Sequence, residues 1–245
     1  VARKPGPLEE TAAAVRERGR GHGVECRTVS VDLTQEGSTA RIADATADLD
    51  VGLVVLNAGA NTYGSEFVES DMDKVQKVID LNITSPMQII RQFGPGLKAR
   101  GRGGIVVMGS MAGYLGHADM SVYSAAKAFS RVFVEGLWLE MREYGVDVVE
   151  VILGVVRTPA MVRAGLDMDL PGFTVSEPEE VAEVVRQAAA KTSMPREMVA
   201  QCYDERGELV TSRITVLGVQ SGLRSDNAVI RLDYDPSGAS DCPGI

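Results

Sequence analysis

Apolar positions along the chain change period repeatedly, and each change predicts a change of element. Leu8 to Arg18 sets Ala, Val and Leu among Glu and Arg at helical spacing and ends in Gly19-Arg20-Gly21-His22-Gly23, a helix stop and turn. Val24 to Val31 alternates as a strand does, and Gly37 to Leu49 returns to helical spacing. Val51 to Leu56 is a continuous apolar run closed by Asn57-Ala58-Gly59, the pattern of a parallel strand buried on both faces. Asp71 to Arg100 predicts a long helix interrupted near Ser85-Pro86, Ile105 to Met108 a second buried strand, and Ser121 to Glu143 another long helix. Val146 to Leu153 reads as a strand, and Glu177 to Ala190 as a helix started by Ser176 and Pro178. Strands and helices alternating in this way imply an α/β fold, a doubly wound parallel sheet with helices on both faces. Beyond Lys191 the pattern weakens to one strand at Ile214 to Val219, and Asp235 to Asp241 reads as a loose tail. The expected organisation is therefore one domain over residues 1–190 and a divergent C-terminal segment over residues 191–245.

Composition narrows the partners. With 44% hydrophobic residues and no apolar run of the ~20 residues that a membrane helix needs, no membrane span is expected. The formal net charge of −9 repels phosphate backbones, and no segment supplies the basic patch that nucleic-acid binding requires. Three scattered cysteines, Cys26, Cys202 and Cys242, fit a reducing, cytoplasmic setting better than a disulfide framework. Two histidines, His22 and His117, exclude a His-rich metal site, so no metal is expected.

In a doubly wound sheet, ligands bind beyond the carboxyl ends of the strands. Three such ends carry polar chemistry: Asp32, Asn57-Ala58-Gly59 and Gly109-Ser110. Ser110 does not sit in a hydrolase elbow, because Met108 and Ala112 stand where that motif needs glycines. Tyr123-Ser124-Ala125-Ala126-Lys127 puts a phenol and an ammonium on one helix face, one turn apart. A phenol with a reference pKa near ~10 must ionise readily to shuttle protons near neutrality, and a neighbouring cation favours its phenolate. Plainer readings stand beside these. Asp32 and Thr34 serve equally as a helix cap, Asn57-Ala58-Gly59 as a turn, Asn82 as a polar residue at a helix break, Arg3 as a surface charge and Thr158 as a turn residue before proline.

Taken together, Asp32-Leu33-Thr34, Asn57-Ala58-Gly59, Asn82, Ser110 and Tyr123-x-x-x-Lys127 resemble, in order and spacing, the short-chain dehydrogenase/reductase family, a Rossmann-like fold, over roughly Val1 to Ala190. The resemblance implies an NAD(P)-dependent oxidoreductase that interconverts a ketone or aldehyde with an alcohol. In it Tyr123 is the acid/base, Lys127 lowers the phenol pKa and holds the nicotinamide ribose, Ser110 polarises the carbonyl, and Asn82 supports a water-linked proton relay to Lys127. By the same resemblance, Asp32, Asn57, Ala58 and Gly59 line the adenine side of the cofactor, and Val156 and Thr158 meet its carboxamide end. Ala2 stands where NAD-preferring members tend to carry an acid, so Arg3 favours NADP, with NAD as the alternative. The family also implies a homodimer or homotetramer paired through the helices at Asp71 to Arg100 and Ser121 to Glu143.

Two departures qualify this. Leu153 replaces the proline that usually precedes Gly154, which loosens that turn. More important, the family opens with a strand, a glycine-rich turn and a helix that cradle the pyrophosphate, and the sequence is expected to lack that unit, hence to be N-terminally truncated. An inactive fragment or interaction module of the same ancestry is therefore one alternative, and an epimerase or dehydratase using the same Tyr and Lys another. Met161, Leu166, Met168 and Phe173 line an apolar substrate pocket or pack their segment onto the core, and His117 counts as incidental.

Overall fold

Ile105 and Val106 point to opposite sides of one strand, and each side meets its own layer of helices. The computed structural model describes residues 1–61, 65–163, 165, 167–169, 175–190, 198–203, 209–214 and 227–231. Strands β1 (Leu53–Leu56), β2 (Gly103–Met108), β3 (Val146–Leu153) and β8 (Asn227–Arg231) form a four-stranded sheet in that order. The first three are parallel, with Val54 opposite Ile105 and Val107 opposite Glu150, and β8 closes against β3 in antiparallel register. Between them run α1 (Pro5–Arg18), α2 (Ser38–Ala45), α3 (Met72–Ile79), α4 (Ser85–Arg100) and α5 (Ser121–Met141). After β3 come the short β4 (Val155–Val156), α6 (Pro159–Arg163), β5 (Val175–Ser176) and α7 (Pro178–Ala190), then a hairpin of β6 (Met198–Tyr203) and β7 (Leu209–Ile214). This is the doubly wound α/β class expected from the alternating pattern.

One face buries Ile105, Val107, Val148 and Ile152 against Leu97 of α4 and Val134 and Trp138 of α5. The other packs Val106, Met108, Val149 and Val151 onto Val181, Val184 and Val185 of α7. Each fully buried aliphatic side chain stabilises the fold by about 1.5–3 kcal/mol, so this double cover is what holds β2 and β3 in the centre. The strand at β1 differs from expectation. Val54 and Leu56 are buried, but Leu53 and Val55 are 38% and 44% exposed, so this strand is covered on one face only. It lies at the end of the sheet order, beyond the contacts that α7 makes with β2 and β3.

The strand expected at Val24 to Val31 is extended chain with a single parallel bridge, Ser30 to Ala2, closed by Ala2 N–H to the Val29 carbonyl and Val31 N–H to the Ala2 carbonyl. An alternating pattern becomes a ladder only where a partner runs alongside it, and here one residue does. The interruption expected near Ser85-Pro86 is a π turn at Asp80–Thr84. Two causes act together. Pro86 has no N–H to give the Asn82 carbonyl four residues back, and the Asn82 side chain donates to the Val78 carbonyl at 2.8 Å. Of the predicted strand Ile214 to Val219, Ile214 ends β7 and the remainder lies outside the described residues, as does the tail at Asp235 to Asp241.

Candidate active site

Helix α5 begins at Ser121, so Tyr123 lies in its first turn and Lys127 one turn further on, above the carboxyl end of β2. Lys127 is only 8% exposed; its Nζ donates to the Met108 carbonyl at 2.7 Å and sits 5.6 Å from the Tyr123 ring centroid. Burial lowers the pKa of Lys127 to about 8, with the negative charge of Glu150 acting the other way. Ser110 leaves β2 in extended conformation and caps the short 3-10 turn Met111–Gly113, its Oγ accepting from the Ala112 N–H at 3.2 Å. That turn sits directly on α5: a Cβ at Gly113 would lie 2.8 Å from the Lys127 carbonyl carbon. The close approach brings the Ser110 loop to the helix turn that carries Tyr123 and Lys127.

Asn82 reaches the same place from the π turn. Its Nδ2 donates to the carbonyls of Ala60 and Val78, each at 2.8 Å, while its Oδ1 is buried without a partner. A Cβ built on Gly59 would stand 3.0 Å from that Oδ1 and 3.8 Å from the Lys127 Nζ. Gly59, Asn82 and Lys127 therefore converge, and Asn57, Ala58 and Gly59 form the exposed lip beside them. The π turn thus carries an acceptor with no partner among the described residues to the place where Gly59 and the Lys127 ammonium lie.

Asp32 and Arg3 occupy a second patch. The Asp32 carboxylate accepts from the Thr34 N–H at 3.0 Å and the Thr34 hydroxyl at 2.8 Å, and Arg3 Nη1 lies 3.6 Å away. The Thr34 backbone N–H is the main influence holding the Asp32 carboxyl below its usual range, with smaller help from the Thr34 hydroxyl and Arg3. Ser85 ties this turn to the rest by donating to the Leu33 carbonyl at 2.8 Å. The Arg3 side chain is 68% exposed. Val156 pairs with Ser176 in the β4–β5 ladder, and Thr158 caps the turn that starts α6, its Oγ1 accepting from the Met161 N–H at 3.3 Å. Met168 is buried, whereas Leu166 and Phe173 lie outside the described residues. His117 Nδ1 is 3.3 Å from the Ser124 hydroxyl.

Sequence reasoning passed over two participants, the Met108 carbonyl and Glu150. Backbone acceptors leave no sequence signal. Glu150 did leave one, a lone carboxylate on the inward face of an apolar strand, and it went unused.

A parallel sheet with polar strand ends thus carries a buried Lys one turn from a Tyr, with a Ser on the adjoining loop. The sequence matches the short chain dehydrogenase family over residues 1–169, and the chain belongs to that family. It is 25% identical over 233 residues to a 7beta-hydroxysteroid dehydrogenase of Clostridium sardiniense, covering 95% of this chain and 81% of that protein. It is 31% identical over 161 residues to the very-long-chain 3-oxoacyl-CoA reductase of Homo sapiens, 64% of this chain but 51% of the relative, so it spans about half the length of that enzyme. Among solved structures, a short-chain dehydrogenase from Sphingobium yanoikuyae in complex with NADPH superposes with a TM-score of 0.69 at 28% identity, covering 78% of this chain and 74% of that one.

Proposed function

We propose that this chain interconverts a small carbonyl compound, a ketone or aldehyde, with its alcohol, using NADP or alternatively NAD. The observation that carries the reading is the Lys127 ammonium, buried and held 5.6 Å from the Tyr123 ring. The residues fit a dinucleotide: the unpartnered Asn82 Oδ1, the Lys127 Nζ and the side-chain-free Gly59 leave a polar cradle that suits ribose hydroxyls. Arg3 and Asp32 stand where the adenine end would lie, and Arg3 would take a ribose 2′-phosphate. Val156 and Thr158 would meet the carboxamide end. When bound, the nicotinamide supplies or accepts the hydride.

The protein's own part is protonic and positional. Tyr123 gives its phenol proton to the carbonyl oxygen in reduction and takes it back in oxidation. Lys127, charged beside the ring, stabilises the phenolate formed in the first case and required in the second. The Ser110 hydroxyl orients the same oxygen, and Asn82 supports a water between its side chain and Lys127 for proton resupply. Replacing Tyr123 with Phe keeps the ring and removes the proton, so turnover of a panel of hydroxysteroids, 3-oxoacyl thioesters and simple ketones should fall by about 10²–10⁴ with NADPH binding unchanged. Near-normal turnover in Tyr123→Phe would remove Tyr123 from this role.

The exposed apolar face of Leu53 and Val55 favours a second reading, a non-catalytic interaction module of the same ancestry. Fluorescence titration with NADPH separates the two, because micromolar binding contradicts the second. The oxidoreductase reading also makes the chain a homodimer or homotetramer paired through α4 and α5, where Phe129, Val132 and Leu139 stand exposed.

A further inference from the structure

Glu150 shares with Val148 and Ile152 the face of β3 that α5 covers, and it is 2% exposed. A carboxylate so placed is costly unless its surroundings favour the charge. From α5 the Ser130 hydroxyl donates to its Oε1 at 2.9 Å, and the same helix brings the positive charges of Lys127 and Arg131 to bear on it. From the loop after β2, Tyr114 faces it across the ring on which the Arg131 guanidinium lies, 5.0 Å from the centroid. Just past the end of β2, Gly109 makes room for it, since a Cβ there would be 2.7 Å from Oε1. The residue before Gly109 is Met108, whose carbonyl holds the Lys127 ammonium. Glu150 and Lys127 thus close on one short piece of backbone.

We propose that Glu150 is a positioning residue whose carboxylate keeps the buried Lys127 ammonium charged beside Tyr123. The proposal rests on the reading of Tyr123 and Lys127 as the reacting pair, and Glu150 acts only through Lys127. Burial drives Lys127 down to about 8 while Glu150 pulls it up. Burial likewise drives Glu150 up to about 7, with the Ser130 hydrogen bond, Lys127 and Arg131 opposing. Each charge therefore opposes the shift that burial imposes on the other.

The sign of the test follows. Lys127 works as a cation, and its contribution is lost as pH rises through its pKa. Removing the neighbouring negative charge lowers that pKa and moves the loss toward acid. Glu150→Gln keeps the shape and the acceptor for Ser130 but removes the charge. In the full chain labelled with 13C at lysine Cε, the Lys127 resonance, identified by its disappearance in Lys127→Arg, should titrate near 8 in the unaltered protein. In Glu150→Gln that midpoint should fall by about one pH unit, and in Glu150→Asp it should stay close to the original. The alkaline limb of kcat/KM should move with it, which a purely structural role would not produce. An unchanged midpoint in folded Glu150→Gln overturns the proposal, as does an active variant whose alkaline limb stays in place. If Glu150→Gln does not fold, Ser130→Ala provides the same test, because losing that hydrogen bond disfavours the anion and should lower the Lys127 midpoint by a smaller step; no movement overturns the proposal. A shifted midpoint in a chain that turns over none of the substrates tested would sustain the pairing and count against the oxidoreductase reading instead.

Discussion

At the level of single residues, the chain places cations where they are least comfortable or least constrained. Lys127 is buried, donates to the Met108 carbonyl, and has the negative charge of Glu150 to set against the cost of burial. Arg3 is its opposite, mostly exposed and only loosely paired to Asp32. That looseness is what a ligand phosphate would exploit, because Arg3 can exchange a solvent-screened ion pair for a bidentate one. Changing Arg3 to Asp puts two carboxylates at the same spot. The ratio of kcat/KM for NADPH over NADH should then drop at least about tenfold, the scale of one lost charged hydrogen bond. Equal ratios before and after would show that Arg3 takes no part in cofactor choice. The closeness of Tyr123 to Lys127 was legible in the sequence because helical spacing fixes near neighbours, whereas Asn82 stood out only through the family resemblance. Glu150 shows in the sequence as a lone carboxylate in an apolar strand, but only the pairing of β2 with β3 brings it behind Gly109.

At the level of elements, the informative case is the helix pair α3 and α4. Apolar spacing predicted its length and a proline its break, and the π turn adds a cause the pattern does not show, the Asn82 side chain claiming the Val78 carbonyl. The helix that follows is anchored by Leu97, which is fully buried between α4 and the sheet. Leu97→Ala should lower the unfolding free energy by about 2–5 kcal/mol in urea titration, for lost transfer energy plus the cavity left behind. A loss below about 1 kcal/mol would mean that α4 is not what covers β2. The stretch Val24 to Val31 shows the limit of pattern reading. Its alternation is that of a strand, yet strand character belongs to a pair, and among the described residues Ala2 alone is bridged to it.

At the level of the whole molecule, α5 must serve two surfaces. Its inner side carries Lys127, Ser130, Val134 and Trp138 into the core and site, and its outer side exposes Phe129, Val132 and Leu139. Val132 is 59% exposed, so Val132→Glu should change stability by no more than about 0.5 kcal/mol. On the proposed pairing through α5, it should nevertheless shift the sedimentation coefficient toward that of a monomer. An unaltered coefficient would rule out pairing through this face. What the sequence determined by itself was local: which segments are helix or strand, the order in which they alternate, and the reactive groups at fixed short spacing, since periodicity and i to i+4 geometry are set within a turn or two of backbone. Tertiary structure alone decided that one face of β1 stays uncovered, that Asn82 keeps an open acceptor beside Gly59, and that the carboxylate of Glu150 meets the helix of Lys127. Those outcomes depend on contacts between residues far apart in the chain, whose strength is set by burial and charge that no single segment contains.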